Sequence, residues 1–127
     1  MIKSKLSERL TKIAGFVPRG HVVADIGTDH ALLSIYLVLE GISSQVIASD
    51  LSTGPLSSAR ANVYLYKLEK SIEIRQGDGL EAISPGEADV IIIAGMGGAK
   101  IIEILEGSHA VLDGVVRIIL QPQGGAG

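Results

Sequence analysis

Acidic residues and a glycine that could contact a ligand are concentrated in one short stretch, Asp25-Ile26-Gly27-Thr28-Asp29-His30. An apolar run precedes the stretch and a helical pattern follows it, so it is predicted to be the turn between a strand and a helix. Gly27 would let the backbone approach a ligand closely. The dinucleotide fingerprint needs further glycines at this point. Their absence disfavours a pyrophosphate site and an NAD-dependent oxidoreductase.

Two more acids follow predicted strands at positions that suit a nucleoside. Asp50 lies roughly 20 residues beyond the first turn, where an acid typically accepts hydrogen bonds from ribose hydroxyls in α/β folds. The alternative is an Asp that caps a helix or a turn. Asp78 can accept a hydrogen bond from an adenine amino group. Asp25 and Asp29 repel phosphates and attract an ammonium or a sulfonium, and S-adenosylmethionine carries both cations.

Two further features that follow predicted strands each have two interpretations. The first is the run Gly95-Met96-Gly97-Gly98 after the fourth strand. It is either a compact turn that lets a helix pack closely or the base of a binding site open to cofactor and substrate. His30 is either a general base or a structural hydrogen-bonding residue. The chain has no Cys and three scattered His residues, so no metal site is predicted.

The elements that position these residues are predicted from apolar periodicity. Five strands alternate with helices, which predicts an α/β, doubly wound, Rossmann-like parallel sheet in the order 3-2-1-4-5. Thr53 is the predicted cap of the third helix, and Pro55 is placed in its first turn. The predicted strands are 21–26, 44–50, a third that starts at Ile72 and ends at Gly77-Asp78-Gly79, 88–94 and 115–120. The predicted helices are 4–16, 31–40, 53–70 and 99–112, with a helical turn at 80–83.

Composition limits the class of protein. The chain has 127 residues, of which 46% are hydrophobic, which suits one domain with a substantial core. No apolar run approaches the roughly 20 residues that span a bilayer, and the N-terminus lacks a signal-peptide pattern. These features, with the absence of Cys, predict a cytoplasmic protein that makes no membrane contact.

The charge distribution is uneven. The formal net charge of −3 argues against a strongly basic nucleic-acid binder. The first twenty residues are nevertheless basic, and we interpret this region either as a solvated helix face or as a contact surface for a phosphate backbone. Its cationic residues are Lys3, Lys5, Arg9, Lys12 and Arg19.

The fifth strand is followed only by a glycine-rich end, Gly124 to Gly127. An apolar strand at a sheet edge is usually covered or blunted in folded proteins. We therefore expect the sheet to be truncated before its last strands and the sequence to be part of something longer. A homodimer through the exposed fifth strand is the corresponding partner prediction.

Several motifs together resemble the bacterial tRNA (adenine(22)-N1)-methyltransferase family. The Asp-His pair after the first glycine, combined with Ala-Gly-Met-Gly-Gly, is the distinctive part, and the likeness extends from the basic opening helix to Pro122. The motifs are Leu6-Ser7-Glu8-Arg9-Leu10, Asp25-Ile26-Gly27-Thr28-Asp29-His30-Ala31, Gln76-Gly77-Asp78-Gly79-Leu80, Ala94-Gly95-Met96-Gly97-Gly98 and Leu120-Gln121-Pro122.

The resemblance implies a domain over residues 1–127 that binds S-adenosylmethionine, opened by a basic helix within residues 1–18. It also implies methyl transfer to N1 of an adenine in tRNA, and a helical C-terminal domain that is absent here. The family usually continues Gln-Pro with Asn, where this chain has Gln123. That departure bears on substrate binding more than on cofactor binding.

The resemblance also implies residue roles. Asp29 is the candidate catalytic carboxylate, which would stabilise the cationic methylated base or remove an amino proton. Substrate contacts are expected at Gly97, Gln121 and Pro122. Cofactor contacts are expected at Asp25, Gly27, His30, Asp50, Leu51, Gly77, Asp78, Gly79, Gly95 and Met96. The alternative function is a non-catalytic nucleotide-binding or interaction module with the same fold.

Overall fold

The computed structural model describes residues 6–123, in which five strands alternate with helices. The strands are β1 (Val23–Ile26), β2 (Val46–Asp50), β3 (Ile72–Gln76), β4 (Val90–Met96) and β5 (Arg117–Pro122). The helices are α1 (Glu8–Gly15), α2 (Leu32–Leu39), α3 (Thr53–Leu65), α4 (Gly98–Glu106) and α5 (His109–Leu112), with a 3-10 turn at Gly79–Ala82.

All strand pairings in the sheet are parallel, and the strand order is β3-β2-β1-β4-β5. This confirms the predicted doubly wound, Rossmann-like topology. The direction of winding reverses between β1 and β4, and ligands of open α/β sheets bind outside the carboxyl ends of strands at such a point. The topology therefore places the turns after β1, β2 and β4 at one site.

Two apolar layers hold the helices against the sheet. One layer joins α1, α2 and α3 to one face, and the other joins the 3-10 turn and α4 to the opposite face. Successive residues of β4 alternate between the layers, with Ile92 in the first and Ile91 and Ile93 in the second. All three side chains are fully buried, as expected for a parallel strand covered on both sides.

The third helix is shorter than predicted. It ends at Leu65 rather than near residue 70, because Lys67 adopts a left-handed conformation (φ 59°) that reverses the chain. The amide of Leu68 donates back to the carbonyl of Val63 at 3.0 Å, which closes a Schellman-type cap. The N-cap residue is Ser52, not Thr53, whereas Pro55 lies in the first turn as predicted.

The helix predicted over 99–112 is two helices. The chain breaks at Gly107 and Ser108, and the Ser108 hydroxyl donates to the carbonyl of Ile104 at 2.7 Å, which ends α4. The other predicted elements are present with shifted ends. The first helix starts at Glu8, capped by the Ser7 hydroxyl, and the predicted residues 4 and 5 lie outside the described part.

No helix within residues 6–123 combines the length and the apolar character needed to cross a bilayer.

Candidate functional site

Two adjoining cavities lie at the carboxyl ends of β1, β2 and β4. The larger measures about 330 Å³ and the smaller about 180 Å³, and Gly27, Asp50 and Met96 line both. The larger is also lined by Arg9, Leu10, Asp25, Thr28, Asp29, His30, Leu32, Leu33, Ala94, Gly95 and Gln123. The smaller is also lined by Ile26, Ser49, Leu51, Gly77, Asp78, Gly79 and Lys100. A single elongated ligand can therefore occupy both.

Gly27 marks the junction of the two cavities. Its φ of +75° is in the left-handed region, which glycine adopts without the cost borne by other residues. A Cβ at this position would lie 2.9 Å from the Met96 Cε and 3.3 Å from the Ala94 carbonyl oxygen. Glycine is therefore required here both by the backbone and by the close approach of β4.

The turn after Gly27 is held by its neighbours. The amides of Gly27 and Thr28 both donate to the Ser49 carbonyl at 2.9 Å. Asp29 (φ 58°) and Ala31 (φ 63°) are non-glycine residues in the left-handed region. Such strain persists only where the surroundings impose it, and it occurs frequently at ligand sites.

Asp25 lies beneath this turn. Its Oδ2 accepts hydrogen bonds from the Thr28 hydroxyl at 2.9 Å and the Ser34 hydroxyl at 2.6 Å. Burial raises the pKa of the Asp25 carboxyl, while the two hydroxyl donors act in the opposite direction. This carboxylate therefore fixes the start of α2 as well as contributing to the larger cavity.

Asp29 and His30 lie at the open side of the larger cavity. The His30 Nε2 is 3.7 Å from the Asp29 Oδ1, and both side chains are more than half exposed. The His30 Nδ1 is 2.6 Å from the Ser58 hydroxyl, and the Asn62 amide donates to the His30 carbonyl at 2.8 Å. The structure thus links His30 to α3, which is consistent with a structural, hydrogen-bonding role. His30 also lines the larger cavity.

Asp50 lies between the cavities at the end of β2. One carboxylate oxygen accepts from the Asp29 amide at 3.1 Å and the other from the Ser52 amide at 3.2 Å. The structure therefore shows the turn-capping role, and the ligand-binding role stays a prediction for a residue that lines both cavities. Its carboxylate couples the turn after β1 to the turn after β2.

The smaller cavity contains Asp78 paired with a lysine. The Lys100 Nζ lies 3.0 Å from the Asp78 Oδ1, and this carboxylate raises the pKa of Lys100. Leu51, on the same lining, is 57% exposed and offers an apolar surface.

Two glycines permit close packing around that cavity. A Cβ on Gly77 would lie 2.8 Å from the Ala82 Cβ, and one on Gly79, whose φ is +59°, would lie 2.8 Å from the Ile104 Cγ1. These positions bring the 3-10 turn against β3 and α4. Their contribution to the site is to let the chain fold tightly beside Asp78.

The predicted substrate residues lie at the ends of β4 and β5. Gly95 has a φ of +79°, and its amide donates to the Gln121 Oε1 at 3.3 Å. Pro122 is opposite Met96 in the sheet, and the Gln123 amide donates to the Met96 carbonyl at 2.8 Å. Gly95, Met96 and Gln123 line a cavity, whereas Gly97, Gln121 and Pro122 line neither of the two.

Sequence reasoning missed several residues of this site. Arg9 was assigned to an outer helix face, yet it lines the larger cavity and donates to the Gln121 Oε1 at 2.8 Å. Nothing in the local sequence signals a contact across 112 positions. Ser34 was findable in principle, because a hydroxyl within the apolar helix Leu32–Leu39 needs a buried partner. Lys100 carried no such signal.

Comparisons with known proteins agree with this architecture. A family model described as a methyltransferase domain matches residues 6–127. The chain is 51% identical to the tRNA (adenine(22)-N(1))-methyltransferase of Bacillus subtilis over 122 residues, which is 96% of this chain and 51% of that protein.

Solved structures show the same fold. The crystal structure of the B. subtilis m1A22 tRNA methyltransferase TrmK superposes with a TM-score of 0.89 and 51% identity, over 92% of this chain and 50% of that one. A Streptococcus pneumoniae protein in complex with S-adenosyl-L-methionine has a TM-score of 0.89 and 42% identity, over 92% of this chain and 55% of that one. The chain thus spans about half the length of these relatives. It belongs to the methyltransferase domain family.

Proposed function

We propose that the chain is the S-adenosylmethionine-binding domain of a tRNA methyltransferase that modifies N1 of adenine, with adenine 22 as the target. The observation that carries the proposal is the pair of adjoining cavities at the reversal of the sheet, with Asp50 between them and Asp78 in the smaller. The likeness to the B. subtilis enzyme supports the choice of substrate.

The residues present fit this cofactor. Asp50 would accept hydrogen bonds from the ribose, and Asp78 from the adenine amino group. Leu51 would pack on the adenine ring, while Gly77 and Gly79 let the chain fold tightly beside Asp78. Gly27 lines both cavities where they meet, and its left-handed backbone conformation shapes the turn at that point.

The larger cavity would hold the cationic end of the cofactor. Asp25 supplies negative charge beneath the turn, and His30, Gly95 and Met96 contribute to the wall. Asp29 provides an exposed carboxylate at the open side.

The reaction proposed for this edge needs alignment more than activation. The cofactor, when bound, would supply a sulfonium methyl group. The lone pair of an unprotonated adenine N1 held in line with it would bond to the methyl carbon as the carbon–sulfur bond breaks, and S-adenosylhomocysteine would be the leaving group. Gly97, Gln121 and Pro122 would hold the target base, which must be unpaired or flipped to expose N1. Asp29 would stabilise the positive charge that the base acquires, or accept a proton from its amino group.

The partners and location follow from the same proposal. Unmodified tRNA is the proposed macromolecular partner, and the cytoplasm, with no membrane contact, is the proposed location. We further propose that two copies associate through the exposed edge strand β5.

Titration calorimetry with S-adenosylhomocysteine tests the cofactor assignment. We expect saturable binding with a clear preference over NAD. No binding, or a preference for NAD, would contradict the proposal. The B. subtilis enzyme at its full length serves as the positive control.

Methyl transfer to unmodified tRNA separates the enzyme from the alternative, a non-catalytic nucleotide-binding module. We expect label from S-adenosylmethionine to appear as 1-methyladenine at position 22, and a tRNA with guanine at that position to remain unlabelled. Cofactor binding without transfer in the presence of tRNA would favour the non-catalytic module.

A further inference from the structure

Arg9 joins the first helix to the carboxyl edge of the sheet. Its Nη1 donates to the Gln121 Oε1 at 2.8 Å, and that oxygen also accepts from the Gly95 amide at 3.3 Å. Arg9 and Gly95 line the larger cavity together. The guanidinium is therefore placed at a wall of the candidate site, next to Leu10 of the same helix.

The charges around that cavity are unequal. Its lining includes three carboxylates, from Asp25, Asp29 and Asp50, and Arg9 is the one permanently charged cation among its described lining residues. Within residues 6–123 the Arg9 guanidinium forms no ion pair with a carboxylate. A guanidinium has five N–H donors, so most of the donors of Arg9 remain for a ligand.

The turn after β1 has few backbone donors left for an anion. The amides of Gly27 and Thr28 both donate to the Ser49 carbonyl, and the Asp29 amide donates to Asp50. These three successive amides would otherwise suit a carboxylate. An anionic group in the larger cavity therefore finds none of these three amides unpaired, and the Arg9 guanidinium is the one permanently charged donor among the described residues that line it.

The proposed cofactor has such a group. With its adenosine between Asp50 and Asp78, its amino-acid end must pass Gly27 and Met96 into the larger cavity. That end carries an ammonium, which the Asp residues attract, and a carboxylate, which they repel. A planar guanidinium matches the geometry of a carboxylate through two parallel hydrogen bonds.

We propose that Arg9 binds the α-carboxylate of the methionine part of the cofactor and so makes the basic opening helix part of the cofactor site. The inference rests on the proposed function. Arg9 recognises the amino-acid end of the ligand, and its contact with Gln121 couples cofactor binding to the edge at which the base would lie.

The test compares two ligands that differ in one group. Calorimetry is performed with S-adenosylhomocysteine and with its decarboxylated analogue, S-adenosyl-3-thiopropylamine, on wild type and on Arg9→Gln. We expect the variant to bind S-adenosylhomocysteine about tenfold more weakly, the loss of one charge-assisted contact at a half-open site. Its affinity for the decarboxylated analogue should be unchanged or higher, because removal of a cation leaves the cavity more negative.

Two further variants sharpen the comparison. Arg60→Gln removes an exposed arginine of α3 that lines neither cavity, and it should leave both affinities unchanged. Arg9→Lys keeps the charge but not the fork of donors, and we expect partial recovery for S-adenosylhomocysteine alone. Thermal unfolding of each variant verifies that the fold is retained.

Equal loss for both ligands would overturn the inference, since it would indicate a general disturbance of the site. Unchanged binding of S-adenosylhomocysteine by Arg9→Gln would also overturn it, and weaker tRNA binding in the same variant would then assign Arg9 to the phosphate backbone. Failure of the proposed function is a different result, in which the wild type binds neither ligand.

Discussion

At the scale of single residues, Asp50 combines two tasks. Its two oxygens accept hydrogen bonds from the amides of Asp29 and Ser52, so the residue links the turns after β1 and β2. The same carboxylate lines both cavities. A carboxylate has about four lone-pair sites, so these backbone contacts leave capacity for ribose hydroxyls.

Replacing Asp50 by Ala should weaken binding of S-adenosylhomocysteine by about 1 to 3 kcal/mol, the usual loss when hydrogen bonds to a charged acceptor are removed. Calorimetry measures the change. Asp113→Ala is the matched control, because Asp113 is an exposed acid at the end of α5 that lines neither cavity. Unaltered affinity in Asp50→Ala would reject the ribose role.

Asp25 differs from Asp50 in being buried. Its burial raises the pKa of its carboxyl above the ordinary value of 3.8. Between that value and the raised pKa the folded protein binds more protons than the unfolded chain, so the free energy of unfolding falls as the pH rises through this range. Asp25→Asn has no such proton to lose. It should therefore lose less stability than wild type as the pH rises above 3.8, the ordinary pKa of an aspartate carboxyl.

Urea unfolding at a series of pH values measures this difference. Asp113→Asn, which alters an exposed acid, should follow the wild-type profile. If Asp25→Asn also follows it, the buried carboxyl has no raised pKa. Weaker binding of S-adenosylhomocysteine by Asp25→Asn at neutral pH would show that the buried Asp25 charge, although it destabilises the fold, contributes to cofactor binding.

At the scale of elements, α4 reaches over the smaller cavity. The Lys100 Nζ engages the Asp78 Oδ1 at 3.0 Å, and Glu103 on the next turn lies 3.6 Å from the same Nζ. Both partners of the Lys100–Asp78 pair are partly exposed. A ligand that uses Asp78 must therefore share that carboxylate with α4 or displace the lysine.

Lys100→Met should tighten binding of S-adenosylhomocysteine a few-fold at low salt. In this variant the Asp78 carboxylate is not paired with a cation that the ligand must displace. An exposed ion pair is weak, so the gain is small and should shrink as salt screens the wild-type pair. Calorimetry at two salt concentrations measures it. Lys70→Met, at an exposed position away from both cavities, is the control. Weaker binding in Lys100→Met would instead show that the lysine contacts the ligand.

At the scale of the whole molecule, β5 leaves an apolar surface at one edge of the sheet. Val116, Ile118 and Leu120 are 60%, 41% and 42% exposed. Ile118 and Leu120 are paired with Ile91 and Ile93, so they extend the buried layer beneath α4 to the open edge. Unpaired apolar edges favour association with another chain.

A charge introduced at these exposed apolar residues should therefore weaken the predicted homodimer through β5. Ile118→Lys should shift the protein towards monomer, because a lysine in the interface would be buried without a partner. Sedimentation velocity over a range of concentrations measures the equilibrium. Leu65→Lys alters a second exposed apolar residue, on α3, and should leave association unchanged. A wild type that stays monomeric throughout, or equal effects of the two variants, would contradict the prediction.

The topology follows from the sequence alone, which also predicts the sheet edge at which the two cavities lie. Alternating apolar runs and helical patterns require parallel strands with right-handed crossovers, and these give the observed order β3-β2-β1-β4-β5. Once that order is known, the turns at Gly27, Asp50 and Gly95 must converge, because carboxyl ends of parallel strands share one edge. The ends of α3 and α4 were less accessible, since they depend on a left-handed lysine and on a serine that bonds back to its own helix.

Which helix side chains reach the carboxyl ends of the strands was settled by tertiary packing alone. Arg9 meets Gln121, Lys100 meets Asp78 and Ser34 meets Asp25 through contacts between separate elements. Local periodicity predicts which face of a helix is apolar. It does not predict which residue of another element a long polar side chain will contact. The turn after β1 was therefore readable from the sequence, whereas the cation beside it was revealed only by the packing of the first helix against the ends of β4 and β5.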